Sequence, residues 1–517
     1  MSKMRIAVRV DASSQMGTGH LMRCLTLAET LSKKGALVRF ISRDLPTHLQ
    51  LMVRKKECEL TVLKSGQTNL LPGKLHHSHW LGSTQDEDAS ETVNALTGCI
   101  WDWLVVDHYA IDQRWETLVA PSVKRLMVID DLADRQHCCD LLLDQNLVAD
   151  LDIRYAGKVS ESCRLLLGPE YALLQRDYID VPGDAAIIRK SVRRILVFFG
   201  GADQHNLTGR CISAVLALNR PDIGVDVVLS TGSPHANAIH HQVQGHGNIH
   251  LHSNLPSLAP LMRRADLAIG AGGATSWERL RMGLPALVVT LADNQRPIAA
   301  ELHRRQLIRW LGDQDDVDEL DFLRALRELT AHGVLQDKFS DGRQVVDGKG
   351  VDRVWGAMTV TSILPMRIRK AAIADEAILL EWANDPVTRA NAFSGSQITS
   401  QAHRQWLLGR LENITGCRIY VVETGEGEAL GQVRFELSEA VWVVDYSLSP
   451  VFRGLGLGRR LLEVALSQLR SEEADAIVFG EVKAGNFASR KVFESLGFSV
   501  LSDEPATVKY ISEVKSS

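Results

Sequence analysis

Nine short apolar runs bounded by Gly, Asp or Asn recur through the first two thirds of the chain: RIAVRVDAS, ALVRFISRD, DWLVVDHY, RLMVIDDL, CDLLLDQN, RILVFFGGAD, VDVVLSTG, DLAIGAGG and PALVVTLAD. Short apolar runs of this kind suit strands covered on both faces. Several are separated by segments with helical periodicity, such as His20 to Lys34, Asn206 to Leu218 and Ala274 to Met282. Strand and helix in alternation restrict the chain to parallel sheets wound by crossover helices. The series restarts after the polar, Pro- and Gly-containing stretch YIDVPGDAAIIRKSVRR, so two sheets are expected, divided near residue 183.

A second boundary falls in SDGRQVVDGKGVDRVWGAMTVTSILP, after which a fresh pattern begins at Met366. Sixteen of the seventeen histidines lie at or before His332, so composition changes there as well. MRIRKA, IYVVET, GQVRFEL and VWVVDYSL read as strands of an antiparallel or mixed sheet, with helices near Ala374 to Ala383, Ala402 to Leu411 and Gly458 to Leu469. The 517 residues accommodate about three domains of ordinary size. With 45% hydrophobic and 23% charged residues the chain has enough apolar surface to bury cores.

A balance of 58 basic against 63 acidic residues offers no electrostatic footprint for nucleic acid. The eight cysteines form no CxxC pair or disulfide framework and read as reduced thiols of a cytoplasmic protein. The start lacks the apolar stretch of a signal peptide, and no run approaches the ~18–20 apolar residues that span a bilayer. A cytoplasmic location and small-molecule partners, with neither nucleic acid nor membrane, are the expectation.

In RVDASSQMGTGHLMRCLTLAETL, Asp11 stands at a strand end, Gly17-Thr18-Gly19 forms a turn, and His20 opens an amphipathic helix. Such glycines let backbone N–H groups approach an anion, with the positive end of the helix behind them. Met22 occupies the place where a dinucleotide fingerprint needs its third glycine, so NAD is weakly supported. His20 is then either a helix-start hydrogen bonder or a base at a cleft. Further polar groups end the strands: Asp107, His108 and Tyr109; Asp130, Asp131 and Asp134; Asp144, Gln145 and Asn146. The carboxyl ends of parallel strands form the ligand crevice of open α/β sheets. His76, His77 and His79 lack partner carboxylates at useful spacing, and no metal is expected.

In AIGAGGATSWERLRMGLP a strand ends at Gly270, Gly272 and Gly273 turn the chain, and Glu278 sits one turn into the following helix. That helix start suits a pyrophosphate. Glu278 has two acceptor oxygens for ribose hydroxyls, or is a charge on a solvated face. Asn294 and Gln295 follow the next strand, and Gly200, Gly201 and Asp203 end the first strand of the second series. Toward the C-terminus, VDYSLSPVFRGLGLGRRLLEVAL places Arg453, Gly454, Gly456 and Gly458 between a strand and an amphipathic helix, and EVKAGNFASRKVFESLGF follows with Asn486.

The combination DASSQMGTGHLMRCLTLA, VVDHYAID, VIDDLADRQHCCDLLLDQN, LLGPEYALL, VFFGGAD and AIGAGGATSWERLRMGLPALVV resembles the UDP-sugar hydrolase family of the pseudaminic acid pathway, over roughly residues 4 to 357. The resemblance implies an α/β fold of the GT-B kind, with two facing Rossmann-like domains over residues 1–183 and 184–357. It implies hydrolysis of UDP-2,4-diacetamido-2,4,6-trideoxy-β-L-altropyranose with inversion, His20 acting as base and Asp11 orienting the ring or holding sugar hydroxyls. It further implies that Gly17, Gly19, Arg23, Tyr109 and Gly201 line the sugar-nucleotide site. Gly272, Gly273, Thr275, Ser276, Glu278, Asn294 and Gln295 would hold the UDP side.

The Arg/Gly loop resembles the [QR]-x-x-G-x-[GA] pattern of GNAT acetyltransferases, an α+β domain over residues 366–517. It implies that Arg453, Gly454, Gly456, Gly458 and Asn486 bind acetyl-CoA as co-substrate. EWANDPVTRANAF and HRQWLLGRL resemble the branch that acetylates N-terminal amines or amino sugars. Where many members carry a general-acid tyrosine this chain has Phe493, which leaves Ser489 as a catalytic candidate, with Tyr446 and Tyr510 weaker choices. Glu436 or Asp445 either relays the amine proton or is a surface carboxylate. Together the two resemblances imply a bifunctional enzyme that acetylates the 4-amino group of UDP-4-amino-4,6-dideoxy-N-acetyl-β-L-altrosamine and then removes UDP. A glycosyltransferase with an accessory acetyltransferase, and a non-catalytic sugar-nucleotide sensor, are the alternatives.

Overall fold

The computed structural model describes residues 3–13, 16–64, 75–180, 189, 191–200, 203–230, 232–253, 255–331, 339–359, 366–425 and 427–512. They form two compact units, Met1–Val351 and Asp352–Ser517, so the division falls within the helix Gly350–Thr359. The boundary expected near residue 183 lies outside the described residues.

The first unit holds two sheets. Strands β1 (Arg5–Val10), β2 (Leu37–Arg43), β3 (Glu59–Leu63), β4 (Trp103–Asp107), β5 (Leu126–Ile129), β6 (Leu141–Asp144) and β7 (Arg164–Leu167) form the first, all parallel, in the order β3-β2-β1-β4-β5-β6-β7. Strands β8 (Arg194–Phe198), β9 (Gly224–Val228), β10 (Ile249–His252), β11 (Leu267–Ala271), β12 (Ala286–Thr290) and β13 (Arg309–Asp313) form the second, also parallel, in the order β10-β9-β8-β11-β12-β13. Both orders reverse once, between β1 and β4 and between β8 and β11. Each reversal opens a crevice at the carboxyl ends of the strands.

All nine apolar runs are strands, and the expected helices appear as Gly19–Lys33, Leu207–Leu218 and Thr275–Arg281. Four strands were not anticipated: β3, β7, β10 and β13, which are the four sheet edges. β4, β11 and β12 are buried along their whole length, whereas β13 is only half-buried throughout and β3 and β10 each have a single buried residue. An edge strand lacks a neighbour on one side, and its partly wet faces carry the polar residues that hide it in sequence.

The two sheets are tied by the segment after β7. Ala172, Leu174 and Tyr178 enter the same apolar cluster as Leu258, Met262, Trp277 and Leu280 of the second sheet's helices. The Tyr178 hydroxyl accepts from the Leu258 amide at 3.2 Å.

The second unit carries strands β14 (Arg367–Lys370), β15 (Cys417–Glu423), β16 (Ala429–Ser438), β17 (Val441–Leu448), β18 (Val478–Lys483), β19 (Ser499–Asp503) and β20 (Thr507–Ser512) in the order β14-β15-β16-β17-β18-β20-β19. One neighbouring pair is parallel, β17 with β18, and it is joined only at Trp442↔Val478 and Val443↔Phe479. Beyond Val443 the two strands run on without pairing, which leaves an opening flanked by Val444 to Leu448 on one side. The helix Gly458–Glu472 begins after the loop that follows β17.

Close strand approach fixes one glycine. A Cβ at Gly270 would stand 2.2 Å from the Phe198 carbonyl oxygen of the neighbouring strand. Gly270→Ala is expected to destabilise the first unit by about 1–3 kcal/mol, the usual range for overpacking. A thermal melt of that variant should show an earlier transition than wild type.

Candidate functional site

His20 is the second residue of the helix that follows β1, and Asp107 is the last residue of β4. The strand reversal therefore brings them together: His20 Nδ1 lies 2.6 Å from Asp107 Oδ1. A carboxylate can only accept, so a proton on Nδ1 points at Asp107, and in the neutral ring Nε2 then carries the lone pair; Arg23 Nη2 lies farther from Nδ1, at 3.2 Å. Arg23, one turn further along the helix, donates Nε to Oδ2 and Nη2 to Oδ1 of the same carboxylate, both at 2.6 Å. Its Nη1 donates to Asp131 Oδ2 at 3.1 Å. Arg23, expected on the substrate, is thus committed to two carboxylates. Asp107 is fully buried, which alone would raise its pKa; the charges of Arg23 and His20 outweigh that and hold the carboxyl well below its ordinary range.

Asp11 does not orient the ring. Its Oδ1 accepts from Arg9, from the Arg43 amide at 2.7 Å and from Ser42 at 3.2 Å, and its Oδ2 faces His108 Nε2 at 3.3 Å. The physical reason is Arg9, a fully buried cation one residue from the end of β1, which needs Asp11 and Asp88 as counter-charges. Gly17 has φ +75°, and a Cβ at Gly17 or Gly19 would meet nothing within 4 Å among the described residues.

The His20 ring meets the Tyr109 ring edge to face, with centroids 4.5 Å apart. Tyr109 in turn stacks with Trp80 at 5.7 Å, and His77 contacts Trp80 at 4.3 Å and Tyr109 at 5.3 Å. Sequence reading singled out His77 only as an unsupported metal ligand and did not mark Trp80. Among the described residues no group of three or more His, Cys, Asp or Glu side chains is arranged to hold a metal ion.

Behind this site the remaining strand-end acids are engaged with one another's partners. Asp130 pairs with Arg135 at 2.9 Å, and the Tyr155 hydroxyl, with its single proton, lies between Asp130 at 3.0 Å and Asp144 at 3.1 Å. Burial and the charge of Asp131 push the Asp144 carboxyl up to about 7. Gln145 accepts from the Leu173 amide.

At the second strand reversal, Gly272 and Gly273 follow β11 directly, and Gln295 lies over them: a Cβ on Gly272 would be 3.4 Å from Gln295 Oε1. That oxygen also accepts from the Leu291 amide at 2.9 Å. Thr275 starts the next helix, which has no side-chain cap. Ser276 is buried and accepts from Arg279 at 3.0 Å, so its hydroxyl serves the packing beneath the turn. Glu278 Oε2 is enclosed without a partner among the described residues, and burial pushes this carboxyl up to about 7 against the pull of the Tyr178 hydroxyl. Asn294 is half-buried beside Gln295. Asp203 accepts from the Leu207 and Thr208 amides at 2.9 Å and acts as a helix cap; Gly201 lies outside the described residues.

In the second unit, Gly454 and Gly456 have φ +73° and +71°, and Gly458 opens the helix that follows, again without a side-chain cap. Arg453 is paired with Asp385 and donates to Thr388 at 2.8 Å, which anchors the loop by its side chain and leaves its backbone to the turn. Asn486 accepts from the Ser489 amide at 3.2 Å and so caps the helix Phe487–Ser495. Of the three hydroxyls considered for proton donation, two converge: Tyr446 and Ser489 are 2.9 Å apart. Tyr446 stands in the part of β17 that no longer pairs with β18, and burial pushes its phenol up to about 12, with Ser489 opposing. Tyr510 instead donates to Glu494 at 3.0 Å. Phe493 is buried, stacked on Tyr510 and edge-on to Tyr446. Glu436 is paired with Arg410 at 2.7 Å, and Asp445 accepts from Gln432 at 3.1 Å.

Residues 195–340 match the glycosyltransferase family 28 C-terminal domain, and residues 366–499 match the acetyltransferase (GNAT) domain. An uncharacterised protein of Methanocaldococcus jannaschii is 22% identical over 519 residues, 96% of either chain. The UDP-2,4-diacetamido-2,4,6-trideoxy-beta-L-altropyranose hydrolase of Campylobacter jejuni is 25% identical over 304 residues, 58% of this chain and 97% of that protein. Among solved structures, MurG of Acinetobacter baumannii superposes with a TM-score of 0.46 at 13% identity, over 69% of this chain and 99% of its own. The chain thus joins a homologue of the Campylobacter hydrolase to an acetyltransferase domain of the GNAT type, two parallel α/β sheets followed by a mixed α+β domain. No helix among the described residues is long and apolar enough to cross a membrane.

The buried charges give the first unit a pH signature. Burial alone would push His137 down, but Asp130 and Glu116, the latter 2.7 Å from Nδ1, raise it to about 9. A group whose pKa is raised on folding stabilises fully below its unfolded value, about 6.5, and loses that contribution as pH rises through the folded value. The difference in melting temperature between wild type and His137→Gln should therefore shrink between pH 6.5 and above 9. A difference that stays constant across that window would contradict the assignment.

Proposed function

We propose that the chain is a bifunctional nucleotide-sugar enzyme: residues 366–517 acetylate the 4-amino group of UDP-4-amino-4,6-dideoxy-N-acetyl-β-L-altrosamine, and residues 1–183 with 184–357 hydrolyse the resulting UDP-2,4-diacetamido-2,4,6-trideoxy-β-L-altropyranose. The observation that carries the hydrolytic half is the 2.6 Å contact between His20 Nδ1 and Asp107, at the strand reversal where such folds bind ligands.

Hydrolysis needs one base. His20 Nε2 takes a proton from water, the water oxygen attacks the anomeric carbon from the face opposite UDP, and the glycosidic C–O bond breaks with both electrons leaving on the diphosphate. Asp107 fixes the tautomer and stabilises the imidazolium that forms. The departing UDP needs little protonation because its charge is met by amides at the Gly272-Gly273 turn, with Glu278 suited to the ribose hydroxyls. The ordinary two-carboxylate inverting arrangement is replaced by one imidazole and a good leaving group. The turn containing Gly17 and Gly19 and the Tyr109 ring are the proposed neighbours of the sugar.

For acetyl transfer, the uncapped amides after Gly454 and Gly456 suit a pyrophosphate, and the opening between β17 and β18 suits an extended pantetheine arm. Acetyl-CoA supplies the activated thioester. The amine nitrogen attacks the thioester carbon and gives up its surplus proton to solvent, the C–S bond breaks, and the thiolate takes a proton from Ser489, which regains one from solvent and is supported by its hydrogen bond with Tyr446.

Incubating the amino sugar nucleotide with and without acetyl-CoA, and following UDP and free thiol, tests the whole reading. Both products should appear only with acetyl-CoA; a transferase would release UDP only with an acceptor, and a sensor neither product. Asp107→Asn should lower UDP release by roughly 10²–10⁴-fold while UDP affinity is retained. His20→Ala should abolish release. Ser489→Ala should slow thiol release by roughly 10-fold or more with acetyl-CoA affinity retained, and Tyr446→Phe should give a smaller loss in the same direction.

A further inference from the structure

The aromatic group built on Tyr109 is unexplained by the proton chemistry of His20. Trp80 belongs to the short turn Ser78–Leu81, whose Leu81 is buried in the core of the first sheet and anchors it. Trp80 itself stays outside that core and is only partly buried, whereas Trp101, Trp103 and Trp115 of the same unit are between 0% and 3% exposed. It lies nearly parallel to Tyr109, at an interplanar angle of 23°, and Tyr109 meets His20. His77 closes the group, and burial lowers its pKa, so its ring is uncharged near neutral pH. The result is a contiguous aromatic cluster that begins at His20, with Tyr109 buried at its centre and His77 and Trp80 partly exposed at its rim.

We infer that His77, Trp80 and Tyr109 form the subsite for the apolar substituents of the sugar, with Trp80 the residue that selects for them. The inference rests on the hydrolase reading above. A 2,4-diacetamido-2,4,6-trideoxy sugar has acetamido groups in place of two hydroxyls and a methyl group at C6, so three methyls project from its ring. Aromatic faces take up such C–H-rich surface and give little to a sugar that presents hydroxyls there. A pyranose whose anomeric carbon is within reach of water activated by His20 has its substituents beside the ring that touches His20. Trp80 thus distinguishes sugars by their methyl groups, while UDP is bound elsewhere.

The test compares wild type, Trp80→Ala and Trp80→Phe on UDP-2,4-diacetamido-2,4,6-trideoxy-β-L-altropyranose, with UDP binding measured separately by calorimetry. Trp80→Ala is expected to lower kcat/KM by roughly 10–100-fold, mainly through KM, with the Kd for UDP within about twofold of wild type. Trp80→Phe should recover most of the loss. Unchanged kcat/KM in Trp80→Ala overturns the subsite, as does an equal loss of UDP binding, which marks a structural role. Absence of UDP release by wild type overturns the hydrolase reading, and the subsite with it; release by wild type together with an unaffected Trp80→Ala overturns the subsite alone.

Discussion

The first unit is organised around one buried carboxylate. Asp107 has no exposed surface and accepts two hydrogen bonds from Arg23 and one from His20. Taking a carboxylate out of water costs several kcal/mol, and only close, complete pairing offsets it. That pairing has a structural consequence: β4, where Asp107 ends, and the helix Gly19–Lys33, which carries both partners, are held in one register. It also has a chemical one. The carboxylate favours, in the neutral imidazole, the tautomer with its proton on Nδ1, so Nε2 is the nitrogen that faces away from Asp107. Arg23 then extends the same constraint to Asp131 and the Tyr109 hydroxyl beside it.

How much of this was legible in the sequence follows from where each residue sits. Central strands of a parallel sheet have apolar neighbours above, below and on both sides, so β4, β11 and β12 read as apolar runs, and β1 does so apart from Arg9. ELTVL, RLLL, IHLH and RWLGD are edges, and their mixed composition resembles a loop as much as a strand. In the second unit β19 has the same property, with four of its five residues exposed. Period and apolarity report burial, and strand pairing enters only through it.

The site was legible to a similar degree. His20 and the strand-end acids stood out because a loop, a helix start and a strand terminus can each be recognised locally. Which acid reaches His20 cannot be: Asp11 is 9 residues away in sequence and Asp107 is 87. The nearer one was favoured, and Arg9 had already claimed it. Trp80 escaped because a lone tryptophan in a polar loop carries no periodic signal, and its stacking on Tyr109 exists only after β4 has been placed. In the acetyltransferase domain, Phe493 announced that a hydroxyl was missing. The geometry of β17 then singled out the Tyr446–Ser489 pair, since Tyr510 lies on β20 and turns to Glu494.

For the two proposed reactions, the order on one chain follows from what each removes. Breaking the glycosyl–phosphate bond discards the diphosphate, the most strongly charged and most easily recognised part of the molecule, and returning it requires a fresh activated donor. Acetylation leaves that handle untouched and exchanges an ionisable amine for a neutral amide. An enzyme that recognises its sugar through the nucleotide therefore gains by acetylating first. A hydrolytic pocket that reads methyl groups, with its base already fixed by Asp107, would enforce this sequence without any signal between the domains. The unacetylated sugar would lack one of the apolar contacts that hold the anomeric carbon in line with the activated water.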